Sequence, residues 1–110
     1  MDASAPKPIL STRAGDPAFD DRIDRFVVDL GERIDALQDA ESAGDSGALE
    51  ALAGSLGRDA DAVGYAPLAE AARRVVLACA ETAGDALKKS VVDLTEVAQR
   101  VRRGHRSAAS

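Results

Sequence analysis

Between residues 19 and 37, apolar side chains recur at steps of three and four, and this spacing constrains the fold more than any other feature. Because an α-helix has 3.6 residues per turn, such spacing draws one apolar stripe along a helix. Asp16 and Pro17 supply a capping side chain and a proline suited to the first helical turn. The pattern predicts a helix from Pro17 to about Glu41, with an inner stripe of Phe19, Ile23, Phe26, Val27, Leu30, Ile34 and Leu37.

Three further segments repeat this spacing, and glycine-containing turns separate them. They predict helices from about Gly47 to Val63, from near Pro67, and from about Asp85 to Arg103. No segment shows the alternation of a strand. Because short connections favour antiparallel neighbours, we predict an all-α fold, an antiparallel up-down-up-down four-helix bundle. An obligate helical dimer is the competing architecture, since apolar stripes this poor in aromatic residues can also be completed across a two-fold interface.

Length and composition limit the chain to one small core. With 110 residues it is long enough for a single domain, and its apolar residues are 45% of the chain although aromatic residues are only 3%. The single Cys79 excludes an internal disulfide, and no Cys/His cluster is suited to zinc. We predict a flexible N-terminal segment over residues 1–15, a bundle over residues 16–103 and a disordered tail over residues 104–110. Packing of Ile9 and Leu10 against the end of the bundle is an open alternative for the N-terminal segment.

The net charge of −5 argues against a nucleic-acid partner, although residues 63–110 carry 8 basic side chains against 5 acidic ones. The N-terminal stretch lacks the apolar core of a signal peptide, and no stretch approaches the ~18 apolar residues of a membrane span. We therefore expect a cytoplasmic protein with no membrane association and no cofactor.

One stretch of the second helix and the following turn carries a specific resemblance. It reads Gly54-Ser-Leu56-Gly57-Arg58-Asp-Ala60-Asp-Ala-Val-Gly64-Tyr-Ala-Pro-Leu68. This is similar to the His-x-Leu-Lys-Gly-x-Ala-x-x-x-Gly-x-x-x-Leu pattern of bacterial histidine phosphotransfer (HPt) domains. The positions that match it are Leu56, Ala60, Gly64 and Leu68. Flanking stretches also resemble HPt sequences, so the similarity covers about residues 8 to 103 and implies an HPt-like bundle.

The chemical positions of the HPt pattern differ in this chain. Gly54 occupies the position of the phosphorylated histidine, and Gly57 occupies the position of the lysine. Arg58 occupies the position of the small glycine that leaves space for the histidine. Phosphotransfer needs an imidazole nitrogen as the nucleophile, and Gly54 has no nucleophile. His105 falls in the predicted disordered tail. The resemblance therefore implies a protein that is not an enzyme.

Positions 54, 57, 58 and 61 share one side of the predicted helix, displaced from its apolar stripe, so Gly54, Gly57, Arg58 and Asp61 are expected to face solvent. Each exposed mid-helix glycine costs about 1 kcal/mol relative to alanine. One interpretation is that the bare positions admit a partner backbone or a second copy of this helix while Arg58 binds an acidic surface. The other is drift after phosphotransfer was lost. Cys79 is expected to be a buried, inert thiol, and no metal site is predicted at Asp59 and Asp61.

The resemblance implies a pseudo-phosphotransfer protein in two-component or phosphorelay signalling. Its partner would be a receiver domain or a histidine kinase, bound through Gly54, Gly57, Arg58 and Asp61 by a monomer or a homodimer. Two alternatives remain open. One is a structural helical dimer, and the other is a phosphorelay component with an unidentified phosphate acceptor.

Overall fold

The computed structural model describes residues 8–81 and 84–109, with side chains described as far as His105. These residues form four helices and no strand, which confirms the predicted all-α class and the number of helices. The first two helices begin and end within one residue of the predicted positions. The helices are α1 (Pro17–Ser42), α2 (Ser46–Ala62), α3 (Ala66–Cys79) and α4 (Gly84–Ala109).

Local side-chain chemistry explains where α1 and α2 begin. The carboxylate of Asp16 accepts a hydrogen bond from the amide of Ala18 at 3.0 Å, and Pro17 occupies the first helical turn. The carboxylate of Asp45 accepts in the same way from the amide of Ala48 at 3.0 Å. Each aspartate satisfies an amide that has no partner inside its helix.

The four helices enclose one core. Helices α1 and α3 each pack against both α2 and α4. Tyr65, which the apolar spacing did not indicate, is 1% exposed and stacks on Phe26 with ring centroids 5.9 Å apart. The largest fully buried side chains are Tyr65, Leu30, Leu37, Leu49, Leu56, Leu68, Leu94, Val75 and Val101.

Residues 8–15, which we call the N-terminal strap, are packed against the bundle although we expected residues 1–15 to be flexible. The amide of Ile9 donates to the carbonyl of Arg100 at 3.0 Å, and the amide of Thr12 donates to the carbonyl of Gly64 at 2.9 Å. The Ser11 hydroxyl donates to the carbonyl of Val63. Ile9 is buried as a result. Residues 1–7 lie outside the described residues.

Gly64 makes the tight connection between α2 and α3. Its φ of +86° lies in the left-handed region that favours glycine. A Cβ at this position would stand 2.7 Å from both the Ser11 and the Thr12 hydroxyl oxygens. Gly64 therefore ends α2 and also leaves room for the N-terminal strap.

Helix α4 is longer than the sequence predicted. The tail expected to be disordered over residues 104–110 is helical as far as Ala109, and Ser110 lies outside the described residues. Gly104, the first residue of the tail that was expected to be disordered, is a buried position in α4 at which the strap crosses the helix. A Cβ on Gly104 would overlap the carbonyl of Ile9. This glycine permits close approach and does not end the helix.

Candidate protein-interaction site

The outward side of α2 carries few side-chain atoms. Gly47, Ala51 and Ala62 are exposed, and Gly54 is partly exposed. Arg58, also exposed, is the one long side chain among them. Their spacing of four, three, four and four residues places them in one stripe, which we call the α2 outer face. A partner could approach this face to within a short distance of the helix backbone.

Gly54 lies at the centre of the α2 outer face. A Cβ built on Gly54 would have one neighbour within 4 Å, the Nη1 atom of Arg58 at 3.5 Å. Packing inside this chain therefore does not require a glycine here. The guanidinium of Arg58 lies over the position that carries the histidine in the HPt pattern. The shallow groove beside it, of about 460 Å³, is lined by Gly47, Glu50, Ala51, Gly54, Arg58 and Val76.

Gly57 is buried, so the expectation that it faces solvent is wrong. A Cβ on Gly57 would stand 3.4 Å from the Cβ of Ala72 and 3.5 Å from the carbonyl oxygen of Ala69. Position 57 thus belongs to the contact between α2 and α3, where small residues on both helices let the backbones approach. The alanines at positions 69 and 72 were the sequence signal for this contact.

Arg58 and Asp61 are both exposed, as expected. Asp61 forms a loose ion pair with Arg73 of α3 at 3.9 Å, and both side chains are mostly in solvent, so this pair adds little stability. Within the described part of the chain, no ion pair joins Arg58 to a carboxylate. Its charge is therefore available to a partner.

A second surface feature, between α1 and α2, was not found from the sequence. Arg33 pairs with Asp59 at 3.0 Å, donates to the Ser55 hydroxyl at 3.1 Å, and lies 5.9 Å from the centroid of the Phe26 ring. Its guanidinium thereby ties α1 to α2. A groove of about 330 Å³ beside this contact has acidic and basic side chains in similar number, which indicates no particular ligand charge.

His105 is held in α4, contrary to the expectation that it lies in a disordered tail. Its Nε2 atom is 3.0 Å from the carboxylate of Asp24 on α1, and its side chain is 22% exposed. The longer helix α4 places the imidazole beside α1. The contact with the carboxylate occupies the Nε2 atom, so this ring nitrogen is not open to a phosphoryl group.

Cys79 lies near the end of α3 and is partly buried. Burial raises the pKa of its thiol, and the negative charge of Glu50 raises it further. The thiol is therefore held in its protonated, weakly nucleophilic form at neutral pH.

Among residues 8–81 and 84–109, no group of three or more His, Cys, Asp or Glu side chains is arranged to hold a metal ion. Asp59 pairs with Arg33, whereas Asp61 lies closest to Arg73, so the two carboxylates have different partners. In the same part of the chain, no helix combines the length and apolar character needed to cross a bilayer.

No protein-family model, curated protein or solved structure matches the chain at a significant level.

Proposed function

We propose that the protein is a non-catalytic, HPt-like interaction module in two-component or phosphorelay signalling. It binds a receiver domain or a histidine kinase and carries no phosphate. In this proposal the helices run up-down-up-down with antiparallel neighbours, which the three-residue connections after α1 and after α2 favour.

The observation that carries the proposal is the division of the HPt-like motif into two halves. Its packing positions Leu56, Ala60 and Leu68 are each 0% exposed, and the glycine at position 64 has the positive φ of a helix end. Its chemical positions hold no nucleophile. A binding protein derived from a phosphotransfer domain would keep the buried packing residues of the motif and would lack the histidine on its surface. The chain has both features.

The buried position of Gly57 narrows the proposed docking surface. Of the four residues predicted from the sequence, Gly54, Arg58 and Asp61 are accessible, and Gly57 supports them from the α2–α3 contact. A receiver domain carries its phosphorylated aspartate in an acidic pocket, and a guanidinium can donate several charge-assisted hydrogen bonds to such a pocket. Arg58 is the residue that we expect to make this contact.

Titration of Arg58→Glu against a receiver domain tests the proposal. A receiver captured from lysate on the immobilised protein would be purified and titrated calorimetrically. We expect the charge reversal to weaken binding about tenfold or more, since charged hydrogen bonds are replaced by repulsion. Lys89→Glu on α4, another exposed position, makes the same charge change elsewhere and should leave the affinity unchanged.

Three results would contradict the proposal. If the immobilised protein captures neither a receiver nor a histidine kinase, the proposed class of partner is wrong. If wild type and Arg58→Glu bind the receiver with equal affinity, the proposed docking surface is wrong. An acid-labile, base-stable phosphate on the chain after incubation with a phosphorylated receiver would favour the alternative of a phosphorelay component with another acceptor.

A further inference from the structure

The charges on α2 are arranged symmetrically about Gly54. Glu50 lies four residues before it and Arg58 four residues after it, so both stand about one helical turn away and about 40° to either side of the direction of Gly54. Both side chains are exposed. The two charges have opposite signs and lie on opposite sides of Gly54. A second copy of the helix that runs in the opposite direction therefore presents a positive charge to the negative one and a negative charge to the positive one.

Neither charge is neutralised within the described part of the chain. No ion pair is formed by Glu50 or by Arg58 among those residues, whereas the neighbouring Asp61 and Arg73 are paired with each other. Both Glu50 and Arg58 line the groove between α2 and α3, with Val76 on its α3 side.

We propose that the α2 outer face binds the same face of a second copy of this chain, with the two α2 helices antiparallel and crossing at Gly54. A two-fold axis beside Gly54 brings Glu50 of each copy level with Arg58 of the other, which forms two equivalent ion pairs. The absence of side-chain atoms at Gly54 lets the two backbones approach at the crossing point. A parallel pair would instead set Glu50 against Glu50 and Arg58 against Arg58, which costs energy.

Self-association through this face does not depend on the proposed receiver binding, but it would regulate it. The dimer covers Arg58, the residue assigned to receiver docking, so the two complexes exclude each other. Dilution or a competing receiver would release the docking surface.

Sedimentation equilibrium from about 1 µM to 1 mM tests the dimer directly. We expect Glu50→Arg and Arg58→Glu each to weaken self-association about tenfold, because each converts two attractive pairs into two repulsive ones. The double variant Glu50→Arg/Arg58→Glu restores both pairs and should return the dissociation constant to within about threefold of wild type. A monomeric wild type, or a double variant no better than the single variants, overturns the proposal.

Cross-linking tests the orientation with a readout that does not depend on affinity. In a Cys79→Ala background, Gly54→Cys should form a disulfide between copies on mild oxidation, since the two positions meet at the crossing point. Ala62→Cys should not, because antiparallel α2 helices separate its two copies by about 24 Å along the helix. If both variants form the disulfide, the helices are parallel and the proposed orientation is wrong. If neither variant forms it, the interface between copies lies elsewhere and the proposal is wrong.

The same variants distinguish this inference from the proposed function. The double charge reversal restores the dimer but not binding to an unaltered receiver. Receiver binding by a strictly monomeric wild type therefore refutes the dimer alone. A wild type that dimerises, yet binds no receiver even when it is diluted to the monomer, refutes the proposed function alone.

Discussion

Gly54 and Gly57 are both mid-helix glycines of α2, but their surroundings give them different consequences for stability. At Gly54 an added methyl group would meet only the flexible end of Arg58, so Gly54→Ala should raise the free energy of unfolding by about 0.5–1 kcal/mol through helix propensity. At Gly57 a large side chain would press on Ala69 and Ala72, so Gly57→Leu should lower it by about 1–3 kcal/mol. Urea denaturation measures both. Equal effects at the two positions would contradict the different burial assigned to them.

Tyr65 makes the stability of the fold sensitive to alkaline pH. Burial raises the pKa of its phenol above the ordinary 10.0, and the negative charge of Asp24 raises it further. Because the pKa in the folded state is above that of the unfolded chain, the stabilisation is complete below about pH 10 and is lost as pH rises through the folded-state pKa. Cys79 acts in the same direction from its ordinary value of 9.0.

Urea denaturation at pH values from about 8 to 11 measures this effect as a fall in the free energy of unfolding. The fall should be smaller in Tyr65→Phe, which keeps the ring stacked on Phe26 but has no group to ionise. Identical pH profiles for the two proteins would show that the phenol is not responsible.

Among the structural elements, helix starts and apolar faces were predictable, whereas contacts between distant segments were not. The caps and stripes of α1 and α2 are set by residues close in sequence, such as Asp16 and Pro17, so their bounds followed from local rules. The contact between α4 and the strap, by contrast, joins the Ile9 amide to the Arg100 carbonyl across some 90 residues of the chain. In the sequence, a glycine at position 104 could either end the helix or allow another segment to pack closely against it. Only the packed position of Ile9 shows that Gly104 has the second role.

The contact between the strap and α4 leads to a prediction about Gly104. Replacing this glycine with alanine improves helix propensity, yet its Cβ would overlap the Ile9 carbonyl and displace the strap. We expect Gly104→Ala to lower the free energy of unfolding by about 1–3 kcal/mol. Hydrogen exchange should show faster exchange of the Ile9 amide, which donates to Arg100 in the native protein. Gly54→Ala is the control, because the same substitution there has no backbone to displace, and unchanged exchange at Ile9 would contradict the role given to Gly104.

For the whole molecule, the sequence predicted the scaffold better than the surface. The four apolar stripes had to face one another because each needs cover from water, so the core followed from periodicity. Which α2 residues remain accessible depends on how α3 lies against them, and Gly57 was therefore misassigned while Gly54, Arg58 and Asp61 were not. The pairing of His105 with Asp24 joins α4 to α1, the last and first helices of the chain. No pattern of neighbouring residues in the sequence indicated this contact.

Phosphotransfer tests whether the molecule as a whole still presents an HPt-like surface. The wild type should acquire no phosphate from a phosphorylated receiver, because Gly54 has no nucleophile. Gly54→His alone should also fail, because Arg58 occupies the position at which the HPt pattern has the small glycine that leaves space for the histidine. The Arg58 guanidinium lies 3.5 Å from the Cβ position of residue 54, which admits a methyl group but stands in the way of an imidazole. Removing that obstacle in Gly54→His/Arg58→Gly should allow a phosphohistidine to form, at a reduced rate because position 57 carries no lysine.

Phosphate in the double variant, detected as an acid-labile and base-stable modification at position 54, would mean that the buried half of the motif still directs receiver docking. Circular dichroism must show that the double variant is folded, since the added glycine at position 58 costs about 1 kcal/mol of helix stability. A folded double variant that remains unphosphorylated by every receiver that binds the wild type would contradict an HPt-like docking geometry. The buried positions Leu56, Ala60 and Leu68 would then reflect only the packing needs of a helical bundle.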